Sequence, residues 1–302
     1  MKKYIILVCL ISIFSCKKVG KKNGKLKVVT TTTMITDLVK NIGGDKIDVQ
    51  GLMGAGVDPH LYKASEGDVG KLFNADVIVY NGLHLEGKLE DVFEKMRQQN
   101  KKTIAASDAL DPAILIGSEY FASNYDPHIW FDITNWELIT QYITDKFCEL
   151  DAENSETYKT NGADYLKTLA SLKLAITEQV NSLPVARRIL VTAHDAFNYF
   201  GNEFQFNVVG LQGLSTATEA GVKDVQRLAS FIEEKNVKAI FIESSVPKRT
   251  VEALQEAVRA KGKEVVIGGT LYSDALGSAG TAEATYVGMY KHNVKIIVSS
   301  LK

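Results

Sequence analysis

The feature that most limits how this chain can fold is a strandless stretch near its middle. Between Glu156 and Leu183, the residues Leu166, Leu169, Leu172, Ile176, Val180 and Leu183 recur at spacings of three and four. That pattern predicts one long amphipathic helix. At 1.5 Å per residue it would be about 40 Å long, the height of a whole domain. Gly162 weakens its first turns by roughly 1 kcal/mol relative to alanine. Pro184 stops it.

On both sides of this helix, strand and helix patterns alternate. Before it, strand signals at 27–30, 47–52, 76–80 and 102–105 are interleaved with helical ones at 37–42, 65–73 and 85–98, and a helix over 134–150 follows an irregular stretch. After it, strands are expected at 188–193, within 204–211, at 239–243 and at 264–267, with helices at 223–236, 248–261 and 281–299. Alternating order of this kind implies parallel sheets covered by helices. A chain of 302 residues also exceeds the usual size of a single core. The expected fold is therefore α/β, with two parallel-sheet (βα)n lobes, 26–155 and 184–302, joined by the backbone helix 156–183. A cleft between them would hold the site.

The first residues belong to export rather than to the fold. Lys2 and Lys3 precede an apolar run from Tyr4 to Phe14 that is too short to span a bilayer as a helix, so residues 1–15 read as a lipoprotein signal peptide. The run ends Ile13-Phe14-Ser15-Cys16, similar to a bacterial lipobox, with Phe14 bulkier than the small residue usual there. Cleavage before Cys16 would leave that cysteine to carry acyl chains, and more than one chain makes membrane attachment stable. Residues 16–25 are basic, contain Gly20 and Gly24, and read as a flexible tether. The chain is thus expected to be exported and lipid-anchored, facing the periplasm or the cell exterior. Of its three cysteines only Cys148 lies in the body, so no internal disulfide is available there. A formal charge of −1 argues against nucleic acid as a partner, because neutralising phosphates needs a basic face.

Chemistry is carried by histidines at turns and strand ends. Asp58-Pro59-His60 recurs as Asp126-Pro127-His128. A proline fixes its own backbone and biases the preceding residue toward extended geometry, so each triplet is a stiff turn presenting an imidazole. The plain alternative is two ordinary turns with solvated or core histidines. His194 follows the strand Ile189 to Ala193, and Asp274 follows the strand that begins near Val265. Both therefore leave the carboxyl end of a parallel strand, where ligands of open α/β sheets bind. Three imidazoles and a carboxylate are a suitable shell for a borderline divalent cation.

Five segments resemble, in order, the motifs of the TroA-like zinc/manganese solute-binding lipoproteins of ABC transporters. They are Gly56-Val-Asp-Pro-His-Leu-Tyr62, Asp126-Pro-His-Ile-Trp-Phe-Asp132, Val191-Thr-Ala-His-Asp-Ala-Phe-Asn-Tyr-Phe200, Gly213-Leu-Ser-Thr-Ala-Thr-Glu219 and Leu271-Tyr-Ser-Asp-Ala-Leu276. The resemblance covers essentially the whole mature chain. It implies that His60, His128, His194 and Asp274 ligate a transported Zn²⁺ or Mn²⁺, and that the long helix joins two lobes. It also implies a monomer that delivers its ion to a membrane permease driven by an ATPase. Manganese members of the family tend to have glutamate where this chain has His194, and zinc-dedicated members often carry a histidine-rich loop absent from Leu61 to Gly70. Nitrogen ligands favour zinc.

Other residues carry expectations of their own. Asp58, Asp126 and Asp132 are expected as turn carboxylates or as carboxylates behind the ligands, where one accepting an imidazole N–H would fix its tautomer. Glu243, ending Ala239-Ile-Phe-Ile-Glu243, either orients a group in the cleft or simply ends its strand. His84 and His292 are expected to be structural or superficial, Trp130 and Trp136 to pack the core or shield the site, and Cys148 to be buried. Two rival functions remain: a zinc hydrolase and a surface adhesin using the same fold. There is no His-Glu-x-x-His and no Gly-x-Ser-x-Gly, and four protein ligands leave no position for a catalytic water.

Overall fold

The computed structural model describes residues 24–119 and 121–302. The expected leader, Cys16 and all of the tether but Gly24 and Lys25 lie outside the described residues. The body holds two parallel four-stranded sheets. The first contains β1 (Leu26–Thr30), β2 (Ile47–Gly51), β3 (Val77–Tyr80) and β4 (Lys102–Ala105) in the order β2-β1-β3-β4. The second contains β5 (Ile189–His194), β6 (Asn207–Gln212), β7 (Ala239–Glu243) and β8 (Val266–Leu271) in the order β6-β5-β7-β8. Both sheets therefore reverse their winding beside their first strand. In such sheets ligands bind at the carboxyl ends of the strands flanking that point, here β1 and β3, and β5 and β7.

Helices α1 (Thr33–Gly43), α2 (Glu66–Asn74), α3 (Glu90–Gln98) and α4 (Ile133–Leu150) precede the long α5 (Ser155–Asn181), and α6 (Asn198–Phe204), α7 (Val222–Lys235), α8 (Arg249–Ala260) and α9 (Tyr286–Leu301) follow it. The strands alternate as their sequence requires. Val28 faces a large central core, while Val29 next to it faces a smaller outer cluster under α2 and α3 with Leu72, Ile78, Phe93 and Met96. The second sheet repeats this, with Phe241 turned inward and Ile240 outward to Leu228, Ile232 and Leu254 beneath α7 and α8. The central core is common to both sheets. It runs unbroken from Ile35 and Leu38 of α1 through Trp136 of α4 and Leu169 of α5 to Phe241 and Tyr290. Trp136 stacks on Tyr286 of α9 with ring centroids 5.0 Å apart, joining helices that precede and follow α5.

Several local features differ from the periodicity reading. Gly162 is a packing requirement of α5, because a Cβ there would meet Thr144 Oγ1 of α4 at 2.5 Å. Tyr165 rather than Leu166 takes the buried position on the next turn. Helix α1 begins at Thr33 rather than near 37, since the Thr32 side chain caps it by accepting from the Ile35 N–H. Helix α9 begins at Tyr286 rather than 281, where Thr285 caps it. Strand β8 extends to Leu271 through Gly268 and Gly269, which lack the branched side chains that mark a strand. A Cβ on Gly268 would meet the Phe241 ring at 2.6 Å. Helix α6 has no counterpart in the pattern: with Tyr199, Phe200 and Phe204 buried and only seven residues, it is too short to set a helical period.

Candidate metal centre

His60 stands on the turn after β2. Asp58 Oδ1 accepts the His60 backbone N–H at 2.9 Å, closing an Asx turn around Pro59. The second triplet uses the same device, with Asp126 Oδ1 accepting the His128 backbone N–H at 2.9 Å. The same oxygen also takes the ring N–H of His128 at Nδ1, 2.7 Å away. Asn81, at the end of β3, donates to the Pro127 carbonyl at 2.9 Å and braces this turn from the first sheet. From the other side, Asn198 donates to Asp126 Oδ2 at 3.0 Å and the Tyr199 hydroxyl to the Asp126 carbonyl at 3.1 Å.

His194 is the last residue of β5, and Glu243 the last of β7. They face each other where the second sheet reverses its winding. Glu243 accepts the His194 backbone N–H at 2.8 Å and its Nδ1–H at 2.5 Å. Asp126 and Glu243 thus each fix an imidazole with Nε2 free to ligate, the usual role of a carboxylate behind a metal-binding histidine. Asp274 follows β8, and Trp130 lies across its neighbour, donating to the Ser273 carbonyl at 3.1 Å.

The four side chains converge. One ligand atom from each of His60, His128, His194 and Asp274 lies within 4.8 Å of all the others. Nε2 of His128 is 3.4 Å from Nε2 of both His60 and His194. Asp274 oxygens lie 3.3 Å from His194 Nε2, 3.5 Å from His128 Nε2 and 3.8 Å from His60 Nε2. A tetrahedron with metal–ligand bonds of about 2.0–2.1 Å has edges of about 3.3–3.4 Å, so these separations suit a zinc-sized cation. All four residues are buried, and neither oxygen of Asp274 has a hydrogen-bond partner. A carboxylate orphaned in this way is costly, and a cation among the four groups would satisfy it.

The protonation pattern points the same way. Burial, reinforced by the neighbouring imidazoles against the pull of Asp274, lowers His60 to about 3, so it stays neutral. Burial also pulls His194 down, but the carboxylates of Glu243 and Asp274 outweigh it and hold this imidazole well above its ordinary value. Asp274 is pushed up by burial yet ends below the ordinary carboxylate range because the three histidines surround it. The metal-free centre therefore stores a proton on His194. A cation bound at Nε2 must displace it, so affinity is expected to rise about tenfold per pH unit through neutrality and to level off above the His194 pKa. Titrating with a competing chelator across about pH 6 to 8 checks this. Replacing Glu243 by Gln should flatten the slope, and a pH-independent affinity in the unaltered protein would contradict the assignment.

Other expected residues fall elsewhere. Asp132 does not stand behind a ligand: its carboxylate accepts the N–H groups of Thr134 and Asn135 at 2.7 and 3.3 Å and caps α4. His84 pairs with Glu90 through Nδ1 and takes no part in the cluster. His292 is half-buried rather than superficial, against Tyr272 and the Thr270 carbonyl. Cys148 is only partly buried. Sequence reasoning missed Asn81 and Thr216, whose hydroxyl meets Asp58 Oδ2 at 2.5 Å. It also missed Glu86, a buried carboxylate that accepts from Thr31, Asn81 and Gly82 and so fixes the loop carrying Asn81. Asn81 showed only as a polar residue next to a strand end, and Thr216 lay within the family-like segment 213–219 with no role of its own.

Residues 28–300 match the family model described as ZnuA, zinc-uptake complex component A periplasmic. The chain is 47% identical over 279 residues to the zinc-binding protein TroA of Treponema pallidum, covering 92% of this chain and 90% of that protein. The TroA structure superposes with a TM-score of 0.89, over 92% of this chain and 99% of that one. Identity to the manganese-binding lipoprotein MntA of Bacillus subtilis is 45% over 278 residues, with the same two coverages. A metal ABC transporter substrate-binding lipoprotein, SsaB of Streptococcus sanguinis, is 30% identical over 98% of this chain and 97% of its own length.

Proposed function

As a member of the zinc-uptake component A family, this chain is, we propose, an exported solute-binding lipoprotein that captures a divalent transition metal, zinc before manganese, and hands it to an ABC-transporter permease. His60, His128, His194 and Asp274 are the proposed ligands, two from each half of the chain. The observation that carries this reading is the buried, unpartnered Asp274 carboxylate facing three imidazole Nε2 atoms at tetrahedral separations. Preference for zinc follows from His194: an imidazole there supplies a softer ligand and one fewer negative charge than a carboxylate would.

Four protein ligands fill a tetrahedral shell and leave no position for a catalytic water, so the chain acts as a carrier rather than as a zinc hydrolase. No observation favours an adhesin. Among the described residues no helix is long and apolar enough to cross a membrane. Attachment is assigned to acyl chains on Cys16, and the working unit to a monomer whose permease is powered by a separate ATPase.

Protein extracted with detergent from its native membranes tests the reading. It should carry one metal ion per chain, prefer zinc in competition with an equal concentration of manganese, and yield an N-terminal peptide acylated at Cys16. Manganese winning the competition would overturn the metal preference, several ions per chain the single site, and an unmodified Cys16 the anchor.

A further inference from the structure

The two halves of the chain grip their ligands unequally. By sequence His128 belongs with the first sheet, yet its turn is fastened to the second half. Asn198 and Tyr199 hold Asp126, and Trp130 donates to Ser273. Tyr286 and Tyr290 of α9 donate to the carbonyls of Trp130 and Phe131, each at 2.7 Å. Ile129, Trp130 and Phe131 also sit in the core common to both sheets. His128, His194 and Asp274 are therefore held in one continuous unit.

The turn bearing His60 is mounted differently. Val57 and Tyr62 on either side of it pack on the outer cluster beneath α2 and α3, and the Tyr62 hydroxyl donates to Asp68 in the first turn of α2 at 2.7 Å. His60 is also the most solvent-accessible of the four residues, 5% exposed against 0 or 1% for the others. Among the described residues, and apart from the contacts within the ligand cluster itself, one hydrogen bond ties this turn to the second half. The Thr216 hydroxyl donates to Asp58 Oδ2 at 2.5 Å, while Asp58 Oδ1 accepts the His60 N–H. Thr216 stands on the segment 213–219 after β6. That segment is pinned beyond Thr216 by Gln212 donating to the Thr218 carbonyl at 3.2 Å and by the Glu219–Arg249 pair.

We propose that Thr216 is a positioning residue that governs metal retention. It latches the His60 turn to the second half through Asp58. When the latch opens, His60 can withdraw with the outer layer while the other three ligands stay assembled. The proposal rests on the four residues forming the metal shell. It gives the segment 213–219 a task in release, and places the moving part of the site at one ligand rather than at the lobes as wholes.

Thr216→Val keeps the branched shape and removes the hydroxyl; Thr216→Ser keeps the hydroxyl. Zinc-loaded protein mixed with excess chelator should release its ion about tenfold faster in Thr216→Val, with association changed by less than about twofold and Thr216→Ser close to the unaltered protein. In the metal-free proteins, amide hydrogen exchange of 56–62 and 213–219 should accelerate together in Thr216→Val. An unchanged release rate, failure of Ser to restore it, or faster exchange confined to 213–219 would overturn the latch. If the unaltered protein binds no zinc, the reading of the metal shell fails, and the exchange measurement still decides whether Thr216 holds the His60 turn.

Discussion

Replacing His128 by alanine is expected to weaken zinc binding by about two to three orders of magnitude. A four-ligand zinc site contributes of the order of 10–16 kcal/mol, so one ligand accounts for about 2.5–4 kcal/mol, which is a factor of about 60 to 700. His128 is the ligand for which the loss should be fullest. Its Nε2 is 3.4 Å from two of the other ligating nitrogens, the side chain is fully buried, and Asp126 and Trp130 hold the turn so firmly that no neighbour can move in to replace it. His292→Ala serves as the control, because it also removes an imidazole but one that stands outside the cluster and pairs with Glu283 at 3.4 Å. Competition against a chelator of known affinity reads the result. An affinity within about tenfold of the unaltered protein would remove His128 from the shell.

Metal should also raise the melting temperature by about 10 °C. Binding to the folded state alone adds RT ln(1 + [L]/Kd), about 4 kcal/mol at a thousandfold excess over Kd. For a chain of this size each kcal/mol moves the midpoint by about 2–4 °C. In the metal-free protein the buried Asp274 carboxylate depends on the surrounding imidazoles, His194 first at 3.3 Å, and a bound ion takes over that compensation. Thermal denaturation with and without excess chelator measures the shift. A change below about 2 °C, in protein shown to be loaded, would mean that the ion binds the unfolded chain nearly as well or sits at the surface.

The order of elements was legible because alternation and length are local properties. Strands such as Lys102–Ala105 and Ala239–Glu243 announce themselves by short branched runs between helical patterns. The doubled Asp-Pro-His and the strand-end His194 and Asp274 pointed to the four residues that the structure brings together. What periodicity gives is which face of an element is apolar, never what that face meets. It therefore gave the two sheets and the helix between them without showing that Trp136, Leu169 and Tyr290 share one core, and it overlooked α6, whose seven residues are too few to set a helical period. Hydrogen bonds between residues far apart leave no periodic trace either. Asn81 reaches Pro127 across 46 positions and Thr216 reaches Asp58 across 158. Asp132 stayed open between two roles for a related reason, since a carboxylate beside a ligand motif and a carboxylate capping a helix look identical in one dimension.

The common core has a consequence for how the molecule can be divided. The first sheet packs on α1 and the second on α9, these helices share one core with α4 and α5, and α9 packs through Tyr286 on Trp136 from the first half. Either sheet synthesised without the other would expose the apolar face that its partner's helices cover. The halves are consequently not interchangeable modules that an engineer or a recombination event can swap at the long helix. The nascent chain can complete this interior only once α9 has been made.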